Sequence, residues 1–217
     1  MTASPQADLL ESATGPAVIA VADQVVWLRR YVETQPLRLE IARLAAAAPF
    51  RHLTTPGGGR MSVAMTNAGP WGWHSDARGY RYVARDPLSD RPWPPLPEAF
   101  ARLAARAAVE AGFAGFAPDC CLVNRYEVGA QMGTHRDYDE ADLRQPIVSV
   151  SIGLPAVFLW YGATRKGPPR RVPVADGDVL VWGGASRAGY HGVRRLGAGA
   201  EAGGDALRYN LTFRRAR

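Results

Sequence analysis

From Pro118 to the end of the chain, short runs rich in β-branched and aromatic residues recur at brief intervals, at residues 121–126, 147–153, 157–161, 170–174, 179–182, 190–193 and 207–214. Turn-forming groups such as Ala175-Asp176-Gly177-Asp178 separate them. Many short strands with turns between them leave no room for the crossover helices of a parallel sheet, so this half is expected to close as an antiparallel sandwich or jelly roll. The expected fold is α+β but predominantly β, a double-stranded β-helix core.

The last of these runs has unusual alternation. In Leu207-Arg208-Tyr209-Asn210-Leu211-Thr212-Phe213-Arg214, Arg208, Asn210, Thr212 and Arg214 fall on one face and Leu207, Tyr209, Leu211 and Phe213 on the other. Two guanidiniums on one strand face either point to water from a half-buried edge or form a fork suited to carboxylates.

The stretch Gly133-Thr134-His135-Arg136-Asp137-Tyr138-Asp139-Glu140 carries a second pattern. On an extended chain His135 and Asp137 share a face, and His191 follows later on another expected strand. Brought beside them, His191 would complete the two-histidine, one-carboxylate set that suits Fe(II) and leaves coordination positions open. A lone His-x-Asp also describes ordinary surface pairs. The order His-x-Asp, distant His, then Arg208 and Arg214 on one strand resembles the AlkB family of Fe(II)- and 2-oxoglutarate-dependent dioxygenases. Asn124-Arg125-Tyr126, the segment 147–154, Trp182-Gly183-Gly184, Thr55-Pro56-Gly57-Gly58 and Met61-Ser62-Val63-Ala64-Met65-Thr66-Asn67 extend the resemblance over roughly residues 45–215.

The resemblance implies a set of roles. His135, Asp137 and His191 would ligate Fe(II). Arg208, Arg214, Asn124, Tyr126 and Asn210 would hold the cosubstrate 2-oxoglutarate, with O2 as the second cosubstrate. Trp73, Tyr80, Tyr82, Asp139, Glu140 and Arg165 would contact substrate, with Trp73 as the base-stacking aromatic and Asp139 as the carboxylate that reads a cationic methylated ring. The implied reaction is oxidative removal of methyl groups from 1-methyladenine and 3-methylcytosine, releasing succinate, carbon dioxide and formaldehyde. Alkylated single-stranded DNA is the expected partner, with double-stranded DNA and RNA as further candidates, and a flipped base as the bound form. Close bacterial members tend to carry a bulky residue where this chain has Gly59 and a leucine or similar where it has Thr134, and the first departure bears on how the lid grips the nucleotide.

The first half reads differently. Residues 17–22 and 25–31 look like two short strands, or a strand and a bend. Leu37, Ile41, Leu44, Ala45 and Ala48 mark one helix face, and Pro97, Phe100, Leu103, Ala104, Ala107 and Ala111 another that Gly112 should stop. Strands are expected at 61–66 and at 79–83, where Tyr80 and Tyr82 share a face. The expected division is a flexible segment at 1–16, an N-terminal extension with outer helices and a nucleotide-recognition lid at 17–117, and the catalytic core at 118–217, all in one structural domain. His52 and His74 lack partners at ligand spacing and are expected to be surface or packing residues.

A net charge of +6 mildly favours a polyanionic partner. Lys166 is the lone lysine, an arginine bias that tracks base composition as readily as function. Adjacent Cys120 and Cys121 cannot form a disulfide framework, and no apolar run is long enough for a bilayer, so a cytoplasmic monomer is expected. Two rival readings keep part of the pattern: a 2-oxoglutarate oxygenase acting on a protein or small molecule, and a non-catalytic β-sandwich that binds nucleic acid.

Overall fold

The computed structural model describes residues 17–197 and 207–217. The looseness expected of residues 1–16 lies outside them. In chain order the elements are β1 (Ala17–Ala22), β2 (Val25–Arg29), α1 (Gln35–Ala47), β3 (Arg51–Thr54), β4 (Arg60–Ala68), β5 (Gly72–Asp76), β6 (Gly79–Val83) and α2 (Glu98–Glu110). There follow β7 (Cys120–Tyr126), β8 (Met132–His135), β9 (Ile147–Gly153), β10 (Ala156–Gly162), β11 (Arg170–Val174), β12 (Val179–Trp182), β13 (Tyr190–Val193) and β14 (Arg208–Arg214).

These strands pair into an eight-stranded sheet in the order β1-β2-β12-β9-β14-β7-β4-β3, a four-stranded sheet β11-β10-β13-β8, and the separate hairpin β5-β6. Every pairing is antiparallel, as the short connections require. β1 to β4 lie in the same sheet as β7, β9, β12 and β14, so that sheet runs without a break across residue 118.

The two sheets face each other as a jelly roll. Between them lie Leu122, Ile147, Leu180 and Trp182 of the large sheet and Phe158, Trp160, Val172 and Val174 of the small one. The outer face of the large sheet is covered by helices: Leu37, Ile41 and Leu44 of α1 and Phe100, Leu103, Ala104 and Ala107 of α2 pack on Val123, Val150, Leu211 and Phe213. β7, β9, β12 and β14 are therefore buried on both faces, although only β12 is a continuous apolar run. Pro97 opens α2, and Gly112, at φ +89°, takes the left-handed turn that ends it.

Three strands carry no strong periodic signal. β3 and β8 have only four residues each, and β5 is Gly-Trp-His-Ser-Asp. Their pairing comes from neighbours: β3 from β4, β5 from β6, and β8 from β13. Among the described residues no helix is long and apolar enough to cross a membrane.

Phe213 is fully buried and meets Phe100 edge-on at 5.9 Å between ring centroids. Phe213→Ala is expected to cost about 3–5 kcal/mol. For a chain of this length that lowers Tm by roughly 6–20 °C. A thermal melt moved by less than about 2 °C would contradict the placement of the helix layer.

Candidate metal centre and its cavity

A cavity of about 660 Å³ opens between the sheets, lined on one side by β14, β7 and β9 and on the other by β8, β13 and the segment after β8. His135 is the last residue of β8, and His191 lies opposite it in register on β13. Asp137 sits two residues beyond β8, so extended chain without a ladder carries it to the same face as His135. The Asp137 carboxylate lies 3.8 Å from Nε2 of His135 and 3.7 Å from Nε2 of His191. One ligand atom from each of the three residues falls within 4.8 Å of the others, a spacing that can hold one metal ion.

Both imidazoles are preset. Nδ1 of His135 contacts the Gly133 carbonyl at 2.8 Å, and Nδ1 of His191 contacts the Gly189 carbonyl at 2.9 Å. A carbonyl only accepts, so in the neutral ring the proton sits on Nδ1 and leaves the Nε2 lone pair for a metal. Gly189 is needed for this geometry, because a Cβ there would come within 2.3 Å of the Trp160 ring. The Trp160 and Phe158 rings lie nearly parallel to the His191 imidazole, at 6.2 and 5.6 Å.

Asp137 is kept ionised inside the protein. Burial alone would raise its pKa, but the Arg214 guanidinium, 2.9 Å away, together with His191 and His135 holds it well below the usual carboxylate range. Arg214 also approaches Glu140 at 3.4 Å. Glu140 accepts from Arg187 Nη2 at 2.9 Å and from the Tyr82 hydroxyl at 2.6 Å. Arg187 additionally donates to the Asp137 carbonyl at 3.0 Å and the Gln145 carbonyl at 2.8 Å, which fixes the loop that bears the carboxylate.

The polar floor of the cavity comes from β14 and its neighbours. Arg208, Asn210, Thr212 and Arg214 all point into it, so Arg208 (2% exposed) and Arg214 (5%) do not face water. Register places Arg208 beside Tyr126 and Asn210 beside Asn124 and Ser151. Arg208 donates to Ser151 Oγ at 3.0 Å and the Leu154 carbonyl at 3.3 Å, with no carboxylate in ion-pair range among the described residues. A buried guanidinium without a counter-ion is costly unless an anion joins it. Asn210 donates to Ser149 Oγ at 2.8 Å and accepts from Asn124 at 3.4 Å. Burial pushes the Tyr126 hydroxyl up to about 12, which keeps it a neutral donor.

Six buried polar atoms on cavity-lining residues have no hydrogen-bond partner: Asn124 Oδ1, Asp137 Oδ2, Trp182 Nε1, Arg208 Nε, and Nε and Nη1 of Arg214. Unpaired buried groups are rare, and here one carboxylate and two guanidiniums carry four of them on the wall of an open volume. They fit a cation at Asp137 and an anionic chelator between Arg208 and Arg214.

The expected substrate residues divide. Trp73, Tyr80, Asp139 and Arg165 line the cavity. The Trp73 indole donates to Asp139 Oδ2 at 2.8 Å, and its ring stacks on Tyr80 at 5.5 Å. Tyr82 and Glu140 do not line it. They lie behind its wall in the Arg187–Arg214 network, 6% and 7% exposed. Tyr80 and Tyr82 share a strand face as alternation predicts, yet that face runs from the surface into the core. His52 and His74 stay outside the cavity: His52 contacts the Met61 carbonyl, and His74 is buried near Asp76. Thr134 lines the cavity, whereas Gly59 closes the Thr55–Gly59 turn at the tip of the β3–β4 hairpin. Ser149, Ser151 and Arg187 were not foreseen. The serines alternate with Val148, Val150 and Ile152 and are readable as a polar face of β9, while Arg187 has no local signal.

A two-histidine, one-carboxylate cluster at a cavity lined by two buried arginines, set between the sheets of a jelly roll, defines a non-haem iron oxygenase that uses a keto acid. Residues 24–214 match the 2OG-Fe(II) oxygenase superfamily, and the chain belongs to it. Within it, the chain belongs to the AlkB family. It is 51% identical over 198 residues to the alpha-ketoglutarate-dependent dioxygenase AlkB of Salmonella typhimurium, covering 90% of this chain and 92% of that one. The AlkB of Escherichia coli K12 is 48% identical over the same coverage. The solved structure of OsALKBH1 superposes with a TM-score of 0.77 at 26% identity, covering 92% of this chain and 100% of that one. The protein is therefore an Fe(II)- and 2-oxoglutarate-dependent dioxygenase, with O2 as its other cosubstrate.

His191 supplies a pH test. Burial, then the neighbouring His135, pushes its pKa down from 6.5 to about 4. Below about pH 6.5 the unfolded chain takes up a proton that the folded protein refuses, so metal-free protein should lose stability as pH falls from 6.5 towards 4. The full effect is on the order of 3 kcal/mol. Denaturant melts of metal-free wild type and His191→Gln check this: the substitution should flatten the slope, and an unchanged slope would contradict the burial of a neutral imidazole.

Proposed function

We propose that the protein removes methyl groups from 1-methyladenine and 3-methylcytosine in single-stranded DNA, with RNA and duplex DNA as secondary substrates. The observation that carries this reading is the pairing of Trp73 and Asp139 at the cavity that His135 also lines. A flat cationic ring fits there: the aromatic face and the carboxylate both attract positive charge, and methylation of N1 or N3 is what makes the base cationic. A target base inside a duplex cannot reach the buried triad, so it must enter flipped out.

In this reading His135, Asp137 and His191 hold the iron. Arg208 takes the remote carboxylate of 2-oxoglutarate, with Asn124, Tyr126 and Asn210 as neutral partners, and the free Nη1 of Arg214 faces its other end. Iron held by the triad would supply, with 2-oxoglutarate and O2, the oxidation of the N-methyl group that gives succinate, carbon dioxide and formaldehyde. Trp73, Tyr80 and Asp139 orient the base, and Arg165 contacts the strand. Tyr82 and Glu140 act behind the wall, holding Arg214 and the Asp137 loop in place.

Mass spectrometry of a 1-methyladenine oligonucleotide incubated with protein, Fe(II), ascorbate and 2-oxoglutarate tests the reading. Loss of one methylene with formaldehyde release is expected. An unchanged oligonucleotide beside steady succinate formation would point instead to a protein or small-molecule substrate.

Arg208→Ala should raise the 2-oxoglutarate requirement by roughly ten- to a hundredfold, from the loss of about 1.5–3 kcal/mol of charged hydrogen bonding. Unchanged cosubstrate affinity would mean that this guanidinium has another purpose. Asp139→Ala should lower repair of 1-methyladenine by about ten- to a hundredfold while sparing a neutral lesion such as 1-methylguanine. Equal loss on both lesions would assign selectivity to cavity shape.

A further inference from the structure

Next to Arg165, the rim of the cavity carries a stack of rings and cations whose other members the reading above leaves unassigned. The Arg136 guanidinium lies over the Tyr138 ring at 4.6 Å and over the Tyr190 ring at 5.5 Å, and Arg165 lies over the Tyr190 ring at 5.0 Å. Tyr138, Arg136, Tyr190 and Arg165 thus form one alternating ladder of rings and cations, with Arg136, Tyr190 and Arg165 at the cavity wall. Alternation along the extended segment turns Arg136 away from His135 and Asp137, so the ladder runs outward from the metal ligands.

Two features of it bear on binding. Some exposed arginines elsewhere pair with carboxylates, as Arg43 does with Glu40, Arg102 with Glu98 and Arg144 with Asp142. Among the described residues no carboxylate pairs with Arg136 or Arg165, which are held by aromatic faces that leave their N–H groups free. Tyr138 is 54% exposed and stands among the few large hydrophobic side chains left open to solvent. Unpaired guanidiniums beside an open ring are the components of a single-strand contact: cations for phosphates and a π-face for a base.

We propose that this rim grips the strand beside the inserted base, Arg136 and Arg165 taking flanking phosphates and Tyr138 stacking one neighbouring base of the same strand. The proposal rests on the nucleic-acid reading above and adds a reason for single-strand preference, since a base stacked on Tyr138 is not paired with a complement. A base on an exposed aromatic contributes roughly a five- to hundredfold gain in binding.

The test compares two single-stranded oligonucleotides that carry the same 1-methyladenine, one with ordinary neighbours and one with abasic neighbours that keep their phosphates. The readout is the ratio of kcat/KM for the two, in which any general effect on iron loading cancels. Wild type should favour ordinary neighbours at least fivefold, Tyr138→Ala should bring the ratio near one, and Tyr138→Trp should preserve it. A ratio near one in wild type, or one that survives in Tyr138→Ala, overturns the stacking role. Arg165→Gln, far in sequence from the metal ligands, should reduce the slope of log affinity against log salt by about 0.7 for a single strand. An unchanged slope overturns the phosphate contact. If wild type demethylates neither oligonucleotide, the nucleic-acid reading itself fails, an outcome separate from loss of the neighbour effect.

Discussion

The Arg214–Asp137 ion pair is the interaction on which the site depends. Asp137 is a carboxylate inside the protein beside two imidazoles, and without a cation it would take up a proton and lose its value as a ligand. Arg214 prevents that from 2.9 Å away. Burying Arg214 then requires further compensation, which Glu140 supplies, and Glu140 is balanced in turn by Arg187 and the Tyr82 hydroxyl. Removing one member of such a chain leaves an unpaired charge in the interior, which commonly costs about 3–5 kcal/mol. The acidic turn after β8 is therefore pinned through Asp137 and Glu140, and Asp139 also lines the cavity.

β14 joins this chemistry to the stability of the fold. It runs between β9 and β7 in the middle of the large sheet, with Leu211 and Phe213 under the helices and Arg208, Asn210, Thr212 and Arg214 in the cavity. A slip of one residue would exchange these faces, placing guanidiniums against α2 and phenylalanine in the cavity. The same alternation fixes the register and the polar face of the cavity together, so neither varies without the other.

Much of this was legible because it is local. Period-two runs mark β9 to β14 almost to the residue, and helix periodicity marks α1 and α2. His-x-Asp with a distant His names the three residues that converge, although Asp137 lies beyond the end of β8. What holds Asp137 there is Arg187, fifty positions later, and a contact at that separation leaves no trace in local pattern. The same limit explains Tyr82 and Glu140. Alternation gives the face of a side chain and not its depth, so Tyr80 at 48% exposure and Tyr82 at 6% look equivalent in sequence. β3, β5 and β8 escape because short, polar or glycine-bearing strands take their conformation from the neighbours they pair with.

The most direct measurement is anomalous diffraction at the iron edge from crystals grown anaerobically with Fe(II) and 2-oxoglutarate. The account predicts a single iron peak at bonding distance from Nε2 of His135, Nε2 of His191 and the Asp137 carboxylate, with the keto acid reaching from it to Arg208. An iron peak elsewhere, or none at saturating metal, would contradict it.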